Sequence, residues 1–155
     1  MPATLADLLE ERHITLDLRS EGREEALREI ISLMKVTPAV VDAEKFLQEV
    51  LAREEAHTTF MGDGVAFPHA RTDLVTRIVL GAARSRDGVP FGENGEPAHL
   101  IFVIGVPTRM VTDYLVCVGA LARITKDPAN RAALMDAETA AEFSELLRAA
   151  SLLLE

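Results

Sequence analysis

The sequence predicts an α/β fold: a mixed parallel and antiparallel β-sheet flanked by helices on both faces. Three observations carry that expectation. Helix-period and strand-period segments are interspersed along the whole chain rather than grouped into halves. The run Leu100 to Val106 is continuously apolar, as expected of a strand at the centre of a sheet covered on both sides. The segment ahead of it, Arg84 to Pro97, is rich in Gly and Pro and suits a loop joining antiparallel strands.

Taken in order, Thr4 to Glu11 predicts a short helix with Leu5, Leu8 and Leu9 on one side. His13 to Leu18 alternates apolar and polar residues and predicts a half-buried strand. Ser20 is the expected cap of a helix carrying Glu21, Glu24 and Glu25 at its positive end. Leu27, Ile30, Ile31 and Met34 give that helix one buried stripe, and Thr37-Pro38 breaks it. Asp42 caps a second helix with Phe46, Leu47, Val50 and Leu51 inward, ending near Arg53 to Ala56.

Val65, Ala66 and Phe67 read as a short apolar strand ended by Pro68. A polar turn is expected after His69, then a strand over Arg77 to Ala83. Phe91 anchors the following loop to the core, and Pro107 ends the strand that begins at Leu100. Val111 to Thr125 is apolar almost all round, which predicts a deeply packed helix. Asp127-Pro128 is a cap followed by proline at the first helical position, opening a helix over Ala129 to Met135. A last helix is expected to start at Asp136 with Phe143, Leu146 and Leu147 inward. The apolar tail Leu152-Leu153-Leu154 is available to dock on the body or on a second copy, leaving a homodimer as one option.

Composition narrows the functional classes. The 155 residues suit one domain with a substantial core, expected to run over 1–155 without a linker or repeat. A net charge of −9 argues against a nucleic-acid surface, which needs clustered Lys and Arg. No apolar run is long enough to span a bilayer. The start lacks the pattern of a signal peptide, and the single cysteine, Cys117, excludes an internal disulfide and fits a cytoplasmic protein. No phosphate-binding Gly-rich loop or metal-ligand spacing occurs, so neither a cofactor nor a metal is expected.

The chemistry centres on Gly62-Asp63-Gly64-Val65-Ala66-Phe67-Pro68-His69-Ala70-Arg71. His69 follows a strand stiffened by proline and has only Ala70 beside it, an arrangement able to present an imidazole to a partner. An imidazole has an unperturbed pKa of about 6.5 and is largely neutral and nucleophilic at neutral pH. It can attack an activated phosphoryl group without a dedicated base.

This run, with Leu51-Ala52-Arg53-Glu54-Glu55 and Thr58-Thr59 before it and Leu121-Ala122-Arg123-Ile124 and Asp127-Pro128 after it, resembles one family. It is the enzyme IIA domains of the fructose–mannitol and nitrogen-regulatory class of the bacterial phosphoenolpyruvate phosphotransferase system. The resemblance covers nearly the whole chain and implies the same α/β sandwich, with His69 as the phosphorylated residue. It further implies an HPr-like phosphocarrier as donor, and a sugar-specific enzyme IIB or a regulated transporter or kinase as the other partner. Arg53 falls where the family carries an arginine close to that histidine, although a cation near a helix C-terminus also suits the helix dipole. Thr58 and Thr59 either donate hydroxyls near the phosphoryl group or begin a strand.

Tyr114 departs from the pattern, because the family usually has a second histidine there, seven residues before Leu121. A phenol offers a hydrogen bond but no charge; the other reading is that it packs beside Cys117 and Leu121. The functional expectation is therefore a phosphocarrier or phosphorylation-dependent regulator. The alternative is a IIA-like binding module that no longer transfers phosphate. His13, His57 and His99 are weaker candidates.

Overall fold

The computed structural model describes residues 4–154. In order they form α1 (Leu5–Leu8), a 3₁₀ turn (Glu11–His13), β1 (Ile14–Thr15), α2 (Arg23–Met34) and α3 (Ala43–Ala56). There follow β2 (Phe60–Gly62), β3 (Val65–Ala66), β4 (His69–Arg71), β5 (Val79–Pro90), β6 (Pro97–Val106), α4 (Val111–Lys126), α5 (Pro128–Asp136) and α6 (Ala140–Leu152). The expected mixed sheet with helices on both faces is present.

β5 and β6 form its antiparallel centre, and β1 adds in parallel to β5. On the other side of β6 lie β3 and β4, both parallel to it and placed one after the other along its length. β2 closes that edge, antiparallel to β3. Side-chain alternation divides the core into two layers. Leu80, Leu100, Phe102 and Ile104 face α1, α4, α5 and α6, whereas Val79, Ile101 and Val103 face α2 and α3. Gly81 marks how tightly α2 lies on the sheet, because a Cβ there would come within 2.8 Å of the Met34 side chain.

The stripes of α2 and α3 and the Asp42 cap match the sequence expectation, with Asp42 accepting from the Lys45 amide at 3.1 Å. Asp127 likewise caps α5, and Phe91 is buried as its anchoring role requires. Several expectations are corrected. The strand over 13–18 shrinks to two residues, because β1 is an edge strand that leaves β5 after Thr15. The cap of α2 is Gly22, since the Ser20 hydroxyl donates to Glu29 instead. The cap of α6 is Thr139, whose hydroxyl accepts from the Glu142 amide, and not Asp136, which ends α5.

The segment from Arg84 is not mostly loop. β5 runs on to Pro90 through an irregularity between Arg84 and Val89, leaving only 91–96 as the connection. Its charged residues misled because Arg84 is itself buried. Its Nε donates to Leu16 O, and Nη1 donates to Leu134, Met135 and Ala137 O at the C-terminus of α5. Those carbonyls solvate the cation at the negative end of a helix. α4 is not buried all round: Leu115 and Val116 are 60% and 47% exposed on its outer face. The apolar tail does not dock on the body either, with Leu153 87% exposed. Among the described residues no helix is long and apolar enough to cross a membrane.

Candidate functional site

Pro68 does not end its strand; it interrupts it. β3 pairs with Leu100 and Ile101, and after a step through Phe67 and Pro68 the chain rejoins β6 as β4, pairing His69 with Ile104 and Arg71 with Val106. Proline has no N–H to give, but its carbonyl still accepts from the Ile104 amide at 3.0 Å and holds the step against the sheet. His69 is thus the first residue of a strand, and the polar turn begins after Arg71.

That step fixes the imidazole. His69 Nδ1 lies 3.1 Å from the Phe67 carbonyl oxygen. A carbonyl only accepts, so Nδ1 is the donor and carries the proton. In the neutral ring Nε2 is left with its lone pair, the form needed for nucleophilic attack. Burial is the main influence that holds the His69 pKa below the ordinary imidazole value, and the Arg53 charge pushes the same way. The Phe67 hydrogen bond and the Glu54 carboxylate act in the opposite sense without reversing the direction.

His69 and Arg71, two apart on one strand, line a cavity of about 300 Å³ together with Val106, Val111 and Tyr114. The ring centroids of His69 and Tyr114 are 5.1 Å apart and tilted by 39°. Tyr114 therefore lies beside the imidazole, not only among its helix neighbours, although it also packs against the core. Burial raises the phenol's pKa above its usual value, so it is a neutral donor. Val111 opens α4, so the positive end of a sixteen-residue helix borders the cavity. Such an end favours a phosphoryl anion.

Arg53 comes from the last turn of α3, where Nη1 donates to the His57 carbonyl oxygen at 2.6 Å. That bond tethers the guanidinium, and its charge acts on both His69 and Tyr114. The threonines have another role. Thr58 Oγ donates within reach of Glu54 and the Phe91 carbonyl, and the buried Thr59 bonds Glu54 through both its amide and its hydroxyl. The Thr59 hydroxyl proton is committed to that carboxylate. Thr59 supports the site through Glu54, with no geometry here that aims it at a phosphoryl group.

Glu54 and Arg71 are what a reading by residue type passed over. The period of two from His69 points to Arg71 on the same face. Nothing local in the sequence marks Glu54 as the buried acceptor of two threonines. Of the remaining histidines, His13 is buried, and His99 Nδ1 is bound by the Ser85 carbonyl at 2.8 Å. His57 is exposed at the end of α3. Among the described residues no cluster of His, Cys, Asp or Glu could hold a metal ion. Burial pushes the Cys117 thiol up to about 12, so it is inert core.

The arrangement offers a neutral ring nitrogen, a phenol donor, the Arg71 side chain and a helix N-terminus around one cavity, with the charge of the tethered Arg53 acting on the imidazole and the phenol. Residues 7–150 match the family described as "Phosphoenolpyruvate-dependent sugar phosphotransferase system, EIIA 2". The fructose-specific EIIA component of Haloferax volcanii is 32% identical over 135 residues, covering 86% of this chain and 88% of that protein. The fructose-specific EIIABC component of Bacillus subtilis is 28% identical over 136 residues; the match takes in 87% of this chain but only 21% of that protein. The crystal structure of nitrogen regulatory protein IIA-Ntr from Neisseria meningitidis superposes with a TM-score of 0.81 at 25% identity, covering 92% of this chain and 98% of that one.

Proposed function

Because the chain belongs to the EIIA 2 family of the phosphoenolpyruvate-dependent sugar phosphotransferase system, we propose that it is a phosphocarrier or phosphorylation-dependent regulator that takes its phosphoryl group on Nε2 of His69. The observation that carries this reading is the Phe67 carbonyl bond to Nδ1, which leaves Nε2 unprotonated on a residue that lines a cavity and feels the charge of a tethered guanidinium. The donor is the phosphohistidine of a small HPr-like carrier. The Nε2 lone pair forms the new N–P bond as the carrier's P–N bond breaks and its electron pair returns to the carrier's imidazole. The Nδ1 proton stays on Nδ1, donated to the Phe67 carbonyl, so no base is needed.

Arg53 and the N-terminus of α4 oppose the phosphoryl charge, and the Tyr114 hydroxyl donates one further hydrogen bond. The whole chain acts as one IIA unit in the cytoplasm. It passes the group to a sugar-specific enzyme IIB or changes its affinity for a regulated transporter or kinase with phosphorylation. The regulator is favoured by one feature, the phenol of Tyr114 in place of a chargeable imidazole. The test is incubation with enzyme I, an HPr-like carrier and radiolabelled phosphoenolpyruvate. Acid-labile, base-stable label on the chain is expected. Absence of label with an active carrier sinks the reading in favour of a binding module without transfer.

A further inference from the structure

A second cavity, of about 270 Å³, lies between the β2–β3 turn and α5, and its lining includes Asp63, Gly64, Arg86, His99, Leu100 and Arg131. It gathers two arginines on a chain of net charge −9. Arg131 is held in place: Nη1 donates to the Thr125 carbonyl at 2.8 Å and the Lys126 carbonyl at 2.9 Å. Among the described residues its ion-pair partner is Asp63, at 3.8 Å, with an Asp63 side chain that is 64% exposed. That pair is long and wet, so it is weak. The guanidinium is fixed by carbonyls at the end of α4 and has only this weak carboxylate partner among the described residues.

His99 is placed with equal care. Its Nδ1 donates to the Ser85 carbonyl, and the Ser85 hydroxyl in turn accepts from the Gly88 amide. The ring lies between two glycines of positive φ: a Cβ on Gly64 would reach 3.1 Å from Cδ2, and one on Gly88 3.1 Å from Cε1. The tautomer leaves Nε2 as a hydrogen-bond acceptor. Buried Leu100 supplies an apolar floor.

We propose that this cavity binds a small phosphate monoester bearing a hydroxyl group, the chemistry of a sugar phosphate. Arg86 and Arg131 match phosphate with planar forked donors. A phosphate monoester carries about −1.5 to −2 charges near neutrality and displaces the single charge of Asp63. A ligand hydroxyl donates to His99 Nε2. The volume falls just below the roughly 300 Å³ at which ligand pockets usually begin, which favours a small ester over a nucleotide. Nothing in this site uses His69, so its fate is independent of the proposed phosphoryl transfer.

The test is a ¹⁵N NMR titration of the full chain with glucose 6-phosphate, inorganic phosphate and glucose. Saturable shifts centred on Arg86, His99 and Arg131 are expected with the ester, weaker ones with phosphate, and none with glucose. Arg86→Gln, on an exposed stretch of β5, should weaken the ester by about tenfold or more. Asp63→Asn should tighten it, and asparagine tolerates the left-handed φ of 54° at that position. His99→Phe should bring the ester down to the affinity of inorganic phosphate. Absence of saturable shifts at millimolar ester overturns the proposal, as does binding indifferent to Arg86→Gln. Equal affinity for ester and phosphate in the wild-type chain overturns the assignment of the hydroxyl to His99.

Discussion

His13, just before β1, and His69, at the start of β4, lie on either side of the central β5–β6 pair and begin from the same chemistry. Each donates Nδ1 to a backbone carbonyl, of Leu80 in one case and Phe67 in the other, and in each burial is the main cause of a lowered pKa. They part at Nε2. That of His13, the last residue of the 3₁₀ turn, is sealed in the core without a hydrogen-bond partner among the described residues, and the residue is only 1% exposed. His69 stands on a strand restarted after proline and lines a cavity with Tyr114 and Arg71. Fixing the tautomer therefore does not distinguish the two histidines. Access from a cavity does, and it is the ground on which His69 is proposed as the nucleophile.

The sharpest way to break that contrast is to exchange the outcomes. His69→Ala is expected to abolish phosphoryl labelling completely, while His13→Asn, which keeps a donor towards Leu80, should label at the wild-type rate. Retained label in His69→Ala would remove His69 from the chemistry. Next in size is Arg53→Gln, expected to slow transfer on the order of a hundredfold, as for loss of one preorganised donor to a developing anion. The same variant should raise the His69 pKa, followed by NMR of the ring protons, because the Arg53 charge contributes to lowering it. A slower rate with no rise would place Arg53 in partner docking instead.

Acid stability sharpens the contrast from the other side. A histidine whose folded pKa lies below its unfolded value of about 6.5 stabilises the fold above that pH. The contribution is lost as pH falls from there through the folded pKa, by at most about 1.4 kcal/mol per pH unit for each group. Urea midpoints should therefore fall between neutral and mildly acidic pH. His13→Asn should flatten the fall, whatever it does to the neutral-pH midpoint. A slope unchanged in His13→Asn but flattened in His69→Ala would assign the whole effect to the functional site.

Much of this contrast could be read before any coordinates, and the remainder shows where local signals stop. The stripes of α2 and α3, the caps at Asp42 and Asp127 and the apolar run of β6 are each written in a single window of sequence. So is the run around Pro68 that singles out His69. What was illegible depends on partners distant in the chain. Arg84 to Pro90 carries loop-like residues, yet Arg84 is buried because carbonyls some fifty residues later solvate it. α4 has apolar residues on both faces, and only the arrangement of the sheet decides that Leu115 and Val116 stay exposed. Pro68 reads as a stop, and becomes a step only because β6 is long enough to take the chain up again. Thr59 reads as a free hydroxyl until Glu54 is found beneath it.

The smallest expected effect concerns Tyr114, the aromatic neighbour of His69 in this cavity. Its ring lies 5.1 Å from that of His69, and burial keeps the phenol neutral. One neutral hydrogen bond to the phosphoryl group is worth about 0.5–1.5 kcal/mol. Tyr114→Phe keeps the ring contact and removes only that bond, so transfer should slow by a factor of about two to ten. Tyr114→His restores a group able to carry charge, and a charge-assisted bond is roughly twice as strong. It should therefore quicken transfer, on the order of tenfold for each 1.4 kcal/mol gained. The measurement is the phosphorylation rate of the three proteins by one carrier at one pH. The order His, Tyr, Phe from fastest to slowest makes the phenol a weak substitute for an imidazolium, as a slow regulatory carrier would use. Equal rates would make the Tyr114 ring a wall of the cavity and leave Arg53, Arg71 and the α4 N-terminus to meet the phosphoryl charge.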